Sequence, residues 1–220
     1  MIDFEADKPT ATGHDLLVRV EAISVNPVDI KIRQRRAPRG RTPGILGWDA
    51  AGEVVGFGES VTSFSVGDRV YYAGTVNRPG TNSQYHLVDA HIVCKAPGSS
   101  STDAAAAMPL TTLTAYEMLF DWLPIDNTVP GGNKKPLVIG GAGGVGSITI
   151  QLARVLSDVT IIATASRSET KAWVEELGAH HVVSHADPVG PQIEALGVGS
   201  IDFVFSTPVR ISTLRKSQGS

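Results

Sequence analysis

A single cysteine, Cys94, stands in 220 residues, so neither an intramolecular disulfide nor a thiolate zinc cage can form. Its setting, HIVCKAP, is apolar, and a lone cysteine there is expected to be buried and inert. Charge of one sign is also lacking. The formal net charge is -3, and nucleic-acid or anionic-membrane binding draws on clustered positive charge, so no nucleic-acid partner is expected. The one basic cluster, Lys31, Arg33, Arg35, Arg36, Arg39 and Arg41, reads as a solvated loop. No run approaches the roughly 18 apolar residues of a membrane helix, and the opening MIDFEADKPT has no basic region followed by an apolar core. These absences point to a cytoplasmic protein with no membrane partner. What is present, 42% hydrophobic and 19% charged residues, suffices for one large domain or two small ones.

Two textures divide the chain. From Asp15 to about Pro97 short alternating segments recur. Leu16 to Val25 is a half-buried strand in which Val18, Val20 and Ala22 alternate with Arg19 and Glu21; Ala50 to Val55, Arg69 to Tyr72, Gln84 to Val88 and Ile92 to Lys95 follow. This half is expected to form a small β-rich barrel. Beyond Ser99 an alanine-rich segment, Asp103 to Met108, precedes a helical spacing over Leu113 to Trp122. Asp126 to Lys135, rich in Pro, Gly and Asn, is a loop. Then strands Leu137 to Gly140, Val159 to Ala165, His181 to Ser184 and Ile201 to Ser206 alternate with helices Val145 to Leu156 and Glu169 to Leu177. Such alternation predicts an α/β unit with a parallel, doubly wound sheet.

The segment LVIGGAGGVGSITIQLARVL sets Gly141, Gly143 and Gly146 in G-x-G-x-x-G spacing between a buried strand and an amphipathic helix. The first glycine is expected to allow the tight turn, and the second, with Gly144 and Val145 beside it, to bring backbone N–H groups to a pyrophosphate. The third lets helix and strand pack closely. A dinucleotide site usually offers an acidic residue about 20 residues further on for the ribose hydroxyls of NAD. Here the chain reads Ala163-Thr164-Ala165-Ser166-Arg167. Ser166, Arg167 and Lys171 offer a hydroxyl and two cations to a 2′-phosphate, so NADPH is the expected cofactor. Ser166 and Glu169 also have the spacing of a helix capping box, which does not compete with phosphate binding. His180, His181 and His185 lack a helical metal spacing and are expected to be structural or exposed.

The runs NPVDIKIR, GWDAAGEVVGFGESVTSFSVGDRVY, MPLTTLTAYEML and GGAGGVGS resemble, in this order over roughly residues 14 to 206, the quinone-oxidoreductase branch of the medium-chain dehydrogenase/reductase superfamily. The resemblance implies a GroES-like catalytic domain over residues 1–115 and an NADP-binding Rossmann domain over residues 116–220, with substrate and nicotinamide between them. It implies that Asn26 and Thr114 line the catalytic site, that Trp48 stands at the substrate pocket, and that Ser206 lies on the nicotinamide side. Zinc-dependent members carry a cysteine near Asn26 and a Gly-His-Glu motif where this chain has Gly47-Trp48-Asp49, so no metal is expected. The tyrosine that several related reductases place after the Asn-Pro-x-Asp motif is missing as well. Reduction of a quinone or an α,β-unsaturated carbonyl by NADPH is the activity implied; a non-catalytic NADPH-binding module and a zinc alcohol dehydrogenase are the alternatives. A complete sheet of this type has about six strands, whereas four are legible here. Both ends of the chain therefore look clipped, the Rossmann sheet incomplete, and the TPVRISTLRKSQGS end disordered or non-native. The family's usual homodimer surface is expected to be missing, and the last strand to be an aggregation-prone edge.

Overall fold

The computed structural model describes residues 3–35, 44–127 and 132–206. Arg36, Arg39 and Arg41 of the basic cluster, together with the tail from Thr207 onward, lie outside the described residues. The chain separates into two compact units, Met1–Leu110 and Thr111–Ser220.

In the first unit, strand β1 (Asp15–Ser24) buries Leu16, Leu17 and Val18 and then alternates between half-buried and exposed positions. It pairs antiparallel with β2 (Asp49–Phe57) on one side and β4 (Tyr85–Asp89) on the other. β2 pairs with β3 (Arg69–Ala73), and β3 with β5 (Val93–Lys95). The expected β-rich half is thus a five-stranded antiparallel sheet of order β4-β1-β2-β3-β5. Register shifts between Leu17 and Val18 and between Val20 and Ala22 mark irregularities in the β1–β2 ladder, the places where such a sheet acquires its bend. Leu16, Val18, Val54, Val70, Tyr72 and Val88 form its core, each buried aliphatic side chain contributing about 1.5–3 kcal/mol. The Tyr72 hydroxyl meets His86 Nδ1 at 3.0 Å, and His86 Nε2 meets the Pro79 carbonyl at 3.0 Å. The imidazole must donate to that carbonyl, so the proton sits on Nε2 and Tyr72 donates to Nδ1. Burial holds the His86 pKa down, in keeping with a neutral ring.

Cys94 is exposed, not buried as its apolar setting suggested. β5 is a three-residue edge strand that turns Val93 inward, and a period of two sends the next side chain to solvent.

Two helices of this unit frame the sheet. Helix α1 (Pro27–Arg35) is built by the Asn-Pro-Val-Asp motif. Pro27 takes the first helical position, where a missing N–H costs nothing, and Asp29 Oδ2 accepts from the Asn26 N–H at 2.6 Å, closing half of a capping box. Helix α2 (Thr102–Ala107) is capped by Ser101, whose hydroxyl accepts from the Ala104 N–H. It packs Ala105 and Ala106 against Ala51.

Helix α3 (Pro109–Tyr116) starts earlier than the spacing from Leu113 suggested, because Pro109 suits a first turn. It continues as a π-helical turn over Glu117–Trp122, with the Leu123 N–H bonded to the Met118 carbonyl. The rest of the second unit runs β6 (Pro136–Ile139), α4 (Gly144–Leu156), β7 (Ile162–Thr164), α5 (Ser168–Glu176), β8 (His181–Val183), α6 (Val189–Ala195) and β9 (Phe203–Ser206). α6 escaped the sequence reading because Gly190 and Pro191 in its first turn look like loop residues. The sheet is parallel, with order β8-β7-β6-β9. Ile150 and Ala153 of α4 and Val174 of α5 cover one face, while Ile193 of α6 covers the other beside Leu137, Ile162 and Val183. This is doubly wound packing. The chain moves from β6 to β7 and β8 on one side, then returns to place β9 on the other. The order therefore reverses at the carboxyl end of β6, where open α/β sheets bind ligands.

Candidate functional site

The glycine loop leaves β6 at that reversal point. The residue with positive φ is Gly140, at 75°, one position before the Gly141 to which the sequence reading gave the tight turn. Gly141 serves packing instead: an added Cβ would lie 3.0 Å from the Ala163 Cβ and 3.3 Å from Ile150 and Val174. Gly146 has the strictest requirement, since a Cβ there would fall 2.2 Å from the Gly140 carbonyl oxygen. Its hydrogen is what allows α4 to sit on the end of β6. Gly143 and Gly144 are exposed and Val145 is half-buried. Helix α4 begins at Gly144 with Gly143 as its N-cap, so the first N–H groups of a 13-residue helix open at the loop with the positive end of its dipole behind them. Thr164 of β7, which the sequence reading passed over, fixes the base of the loop: its hydroxyl accepts from the Gly140 N–H at 2.9 Å and its carbonyl from the Gly141 N–H at 3.2 Å.

Because β6 and β7 are parallel, the residues after β7 emerge on the same side of the sheet as the glycine loop. Ser166 is half-buried, Arg167 exposed and Lys171 half-buried. Neither cation forms an ion pair with a carboxylate among the described residues. The cap of α5 is Arg167 rather than Ser166: Thr170 Oγ1 accepts from the Arg167 N–H at 3.2 Å and donates to its carbonyl at 2.9 Å. The Ser166–Glu169 capping box does not form; Thr170 supplies only the returning half of one at Arg167, whose guanidinium cannot accept. Trp173 Nε1 donates to Ser147 Oγ at 2.9 Å, tying α5 to the first turn of α4. Ser206, exposed, ends β9 opposite Ile139. Thr114 lies half-buried on α3. No signal in the sequence marked the Trp173–Ser147 contact, which joins residues of separate helices.

In the first unit, Asn26 and Trp48 are both buried. Asn26 Nδ2 donates to Asp49 Oδ2 at 2.8 Å. Asp49, only 1% exposed, also accepts from the Leu110 N–H, at 3.2 Å through Oδ1 and 3.4 Å through Oδ2. Burial pushes the Asp49 carboxyl up to about 6, against the opposing pull of these two donors and with help from the negative charge of Asp29. The strand start that carries Asp49 is clamped from outside: the N–H groups of Gly80, Asn82 and Thr81 bond to the carbonyls of Ile45, Leu46 and Gly47. Gly47, at φ 88°, faces Asn82 so closely that a Cβ would clash. Among the described residues, the buried Trp48 indole N–H and Asp29 Oδ1 meet no hydrogen-bond partner. The sequence signal for Asp49 was its place in the Gly47-Trp48-Asp49 run, where zinc-dependent members carry Gly-His-Glu; its position at the start of β2, one residue before the expected strand, is a finding of the structure.

An antiparallel sheet unit followed by a doubly wound unit with a glycine loop at its reversal point defines a GroES-like domain joined to a Rossmann domain. Residues 12–102 match the alcohol dehydrogenase GroES-like domain family, and residues 144–219 match the zinc-binding dehydrogenase family. A zinc-type alcohol dehydrogenase-like protein of Staphylococcus aureus is 45% identical over 205 residues, which cover 93% of this chain and 60% of that protein. Among solved structures, a candidate zinc-dependent alcohol dehydrogenase from Rhizobium etli is 50% identical with a TM-score of 0.90, covering 94% of this chain and 60% of that one. Escherichia coli quinone oxidoreductase complexed with NADPH is 29% identical with a TM-score of 0.78, covering 98% and 64%. The chain belongs to the medium-chain dehydrogenase/reductase superfamily.

Zinc, which these names bring with them, does not suit the residues present. At the Gly47-Trp48-Asp49 position an indole that cannot ligate stands next to a carboxylate already engaged by Asn26 and Leu110. Among the described residues no group of three His, Cys, Asp or Glu side chains is placed to hold a metal. No helix among them is long and apolar enough to cross a membrane.

Proposed function

We propose that this chain binds NADPH and serves a zinc-independent oxidoreductase that passes hydride to a small quinone or α,β-unsaturated carbonyl. The observation that carries the reading is the carboxyl end of the parallel sheet. The first N–H groups of α4, from exposed Gly144 onward, open there, and Arg167 and Lys171, which have no carboxylate partner among the described residues, emerge on the same side, with Ser166 where a ribose-binding carboxylate would otherwise stand. Backbone N–H groups at a helix start hold pyrophosphate. A guanidinium and an ammonium beside a hydroxyl suit a phosphate on the ribose better than a bare diol. Bound NADPH supplies the hydride, which needs no Lewis acid when the acceptor is as electron-poor as a quinone or enone. Asn26, Thr114 and Ser206 would orient the nicotinamide half, and Trp48 would shape the acceptor's place. The NADPH complex of the Escherichia coli quinone oxidoreductase supports this choice of cofactor and substrate class. Cytoplasmic location fits the same reading.

The test is a titration of chelator-treated protein with NADPH and with NADH, followed by tryptophan fluorescence and completed by addition of a small quinone. Trp173, hydrogen-bonded to the first turn of α4, is a reporter next to the loop. Binding at least ten-fold tighter for NADPH, followed by NADPH oxidation, is the expected result. Equal affinities would overturn the phosphate pocket. Binding without turnover across several acceptors would leave a nucleotide-binding module.

A further inference from the structure

Asn26 occupies the N-cap of α1, where an asparagine ordinarily spends its side-chain oxygen on an N–H of the first turn. Here the Asp29 N–H is taken by the Asn26 backbone carbonyl at 3.0 Å, and the Asp29 carboxylate holds the Asn26 N–H at 2.6 Å. The backbone does the capping, and the side chain is turned instead to Asp49. A carboxylate only accepts, so the group facing it must be the –NH2 end of the carboxamide. Asp49 is itself fixed by the Leu110 N–H and by the backbone clamp on Gly47, and it is too buried to swing away.

We propose that Asp49 is the positioning residue of Asn26: by holding the –NH2 group it presents the carboxamide oxygen, so that Asn26 meets its ligand as a hydrogen-bond acceptor. The partner it takes is then a hydroxyl or an amide N–H, such as a nicotinamide ribose hydroxyl, and not the oxygen on which charge develops in the acceptor. Stabilising that oxygen falls to other donors. This deepens the proposed function and rests on its placing Asn26 at the nicotinamide.

The full chain labelled with 15N and 13C tests it at pH 8, with the Asn26 side-chain signals assigned by through-bond correlation to the Asn26 backbone. In the free wild-type protein one Asn26 –NH2 proton is expected well downfield of the solvent-exposed asparagines and slow to exchange, and this spectrum requires no variant to fold. Saturating NADP+ should then move the Asn26 13Cγ signal downfield while leaving the –NH2 pair nearly in place. In quinone reduction, Asp49→Asn should lose ten-fold or more in kcat/KM, and adding Asn26→Ala to it should cost less than two-fold more, because Asp49 acts only through Asn26. An Asn26 –NH2 pair at ordinary shifts in the free protein overturns the proposal whether or not nucleotide binds. So does an –NH2 pair that moves with NADP+ while 13Cγ stays, or a double variant whose losses multiply. Failure of the wild-type protein to bind NADP+ counts instead against the cofactor reading and leaves the free-protein spectrum to decide the role of Asp49.

Discussion

Ser166, Arg167 and Lys171 stand where β7 gives way to α5, and the two cations have no carboxylate partner among the described residues. A charge-assisted hydrogen bond to phosphate contributes about 1.5–3 kcal/mol, so Arg167→Ala or Lys171→Ala should weaken NADPH binding by ten-fold or more. NADH affinity should change by less than two-fold, as calorimetric titration would show. The buried Asp49 carboxyl makes a second prediction at this scale. Its folded pKa is raised to about 6 from an unfolded 3.8, so between those values the folded state keeps a proton that the unfolded chain has released. Stability from this group is therefore full below about pH 4, falls as pH rises toward 6, and is level above. Urea unfolding across that range should show the wild-type protein losing stability relative to Asp49→Asn as pH rises; a constant difference would contradict the raised pKa. Glu59, Asp68, Asp89 and Asp158 have lowered pKa values and act in the opposite sense at lower pH, so the difference between the two proteins is the quantity to follow.

Among the elements, the β6–loop–α4 unit tolerates least change. With a Cβ 2.2 Å from the Gly140 oxygen, Gly146→Ala must push α4 off the strand, at a cost of about 2–3 kcal/mol. Gly143→Ala meets the same oxygen only at 3.3 Å, so it should fold nearly as well yet bind nucleotide more weakly, its methyl group standing where phosphate approaches the backbone. Thermal melts with and without NADPH separate the two effects. Most elements were legible in the sequence because burial on one face leaves a period of two in strands and near four in helices: β1, β2, β3 and the β6–α4–β7–α5 run all follow from it. The failures have local causes. Gly190 and Pro191 disguised α6, the frame of the α5 cap moved by one residue to use Thr170, and Cys94 went to solvent because β5 is an edge of three residues.

For the molecule as a whole, each unit has its own core, and the adenosine half of the cofactor is assigned to the second unit alone. Adding 2′,5′-ADP should therefore slow hydrogen exchange around Gly140–Ser147 and Ser166–Lys171 and leave β1 to β5 unchanged, whereas protection spread over both units would contradict that assignment. The sequence by itself determined the order of the two units and the glycine loop, since these depend on residue types and spacings that survive as a linear pattern. Only the tertiary structure decided that Gly140 and not Gly141 takes the positive φ, that Trp173 reaches Ser147, and that Asp49, 23 residues from Asn26, holds its side chain. Those contacts join segments far apart in the chain, and a hydrogen bond between two polar side chains leaves no periodic trace in the sequence that makes it.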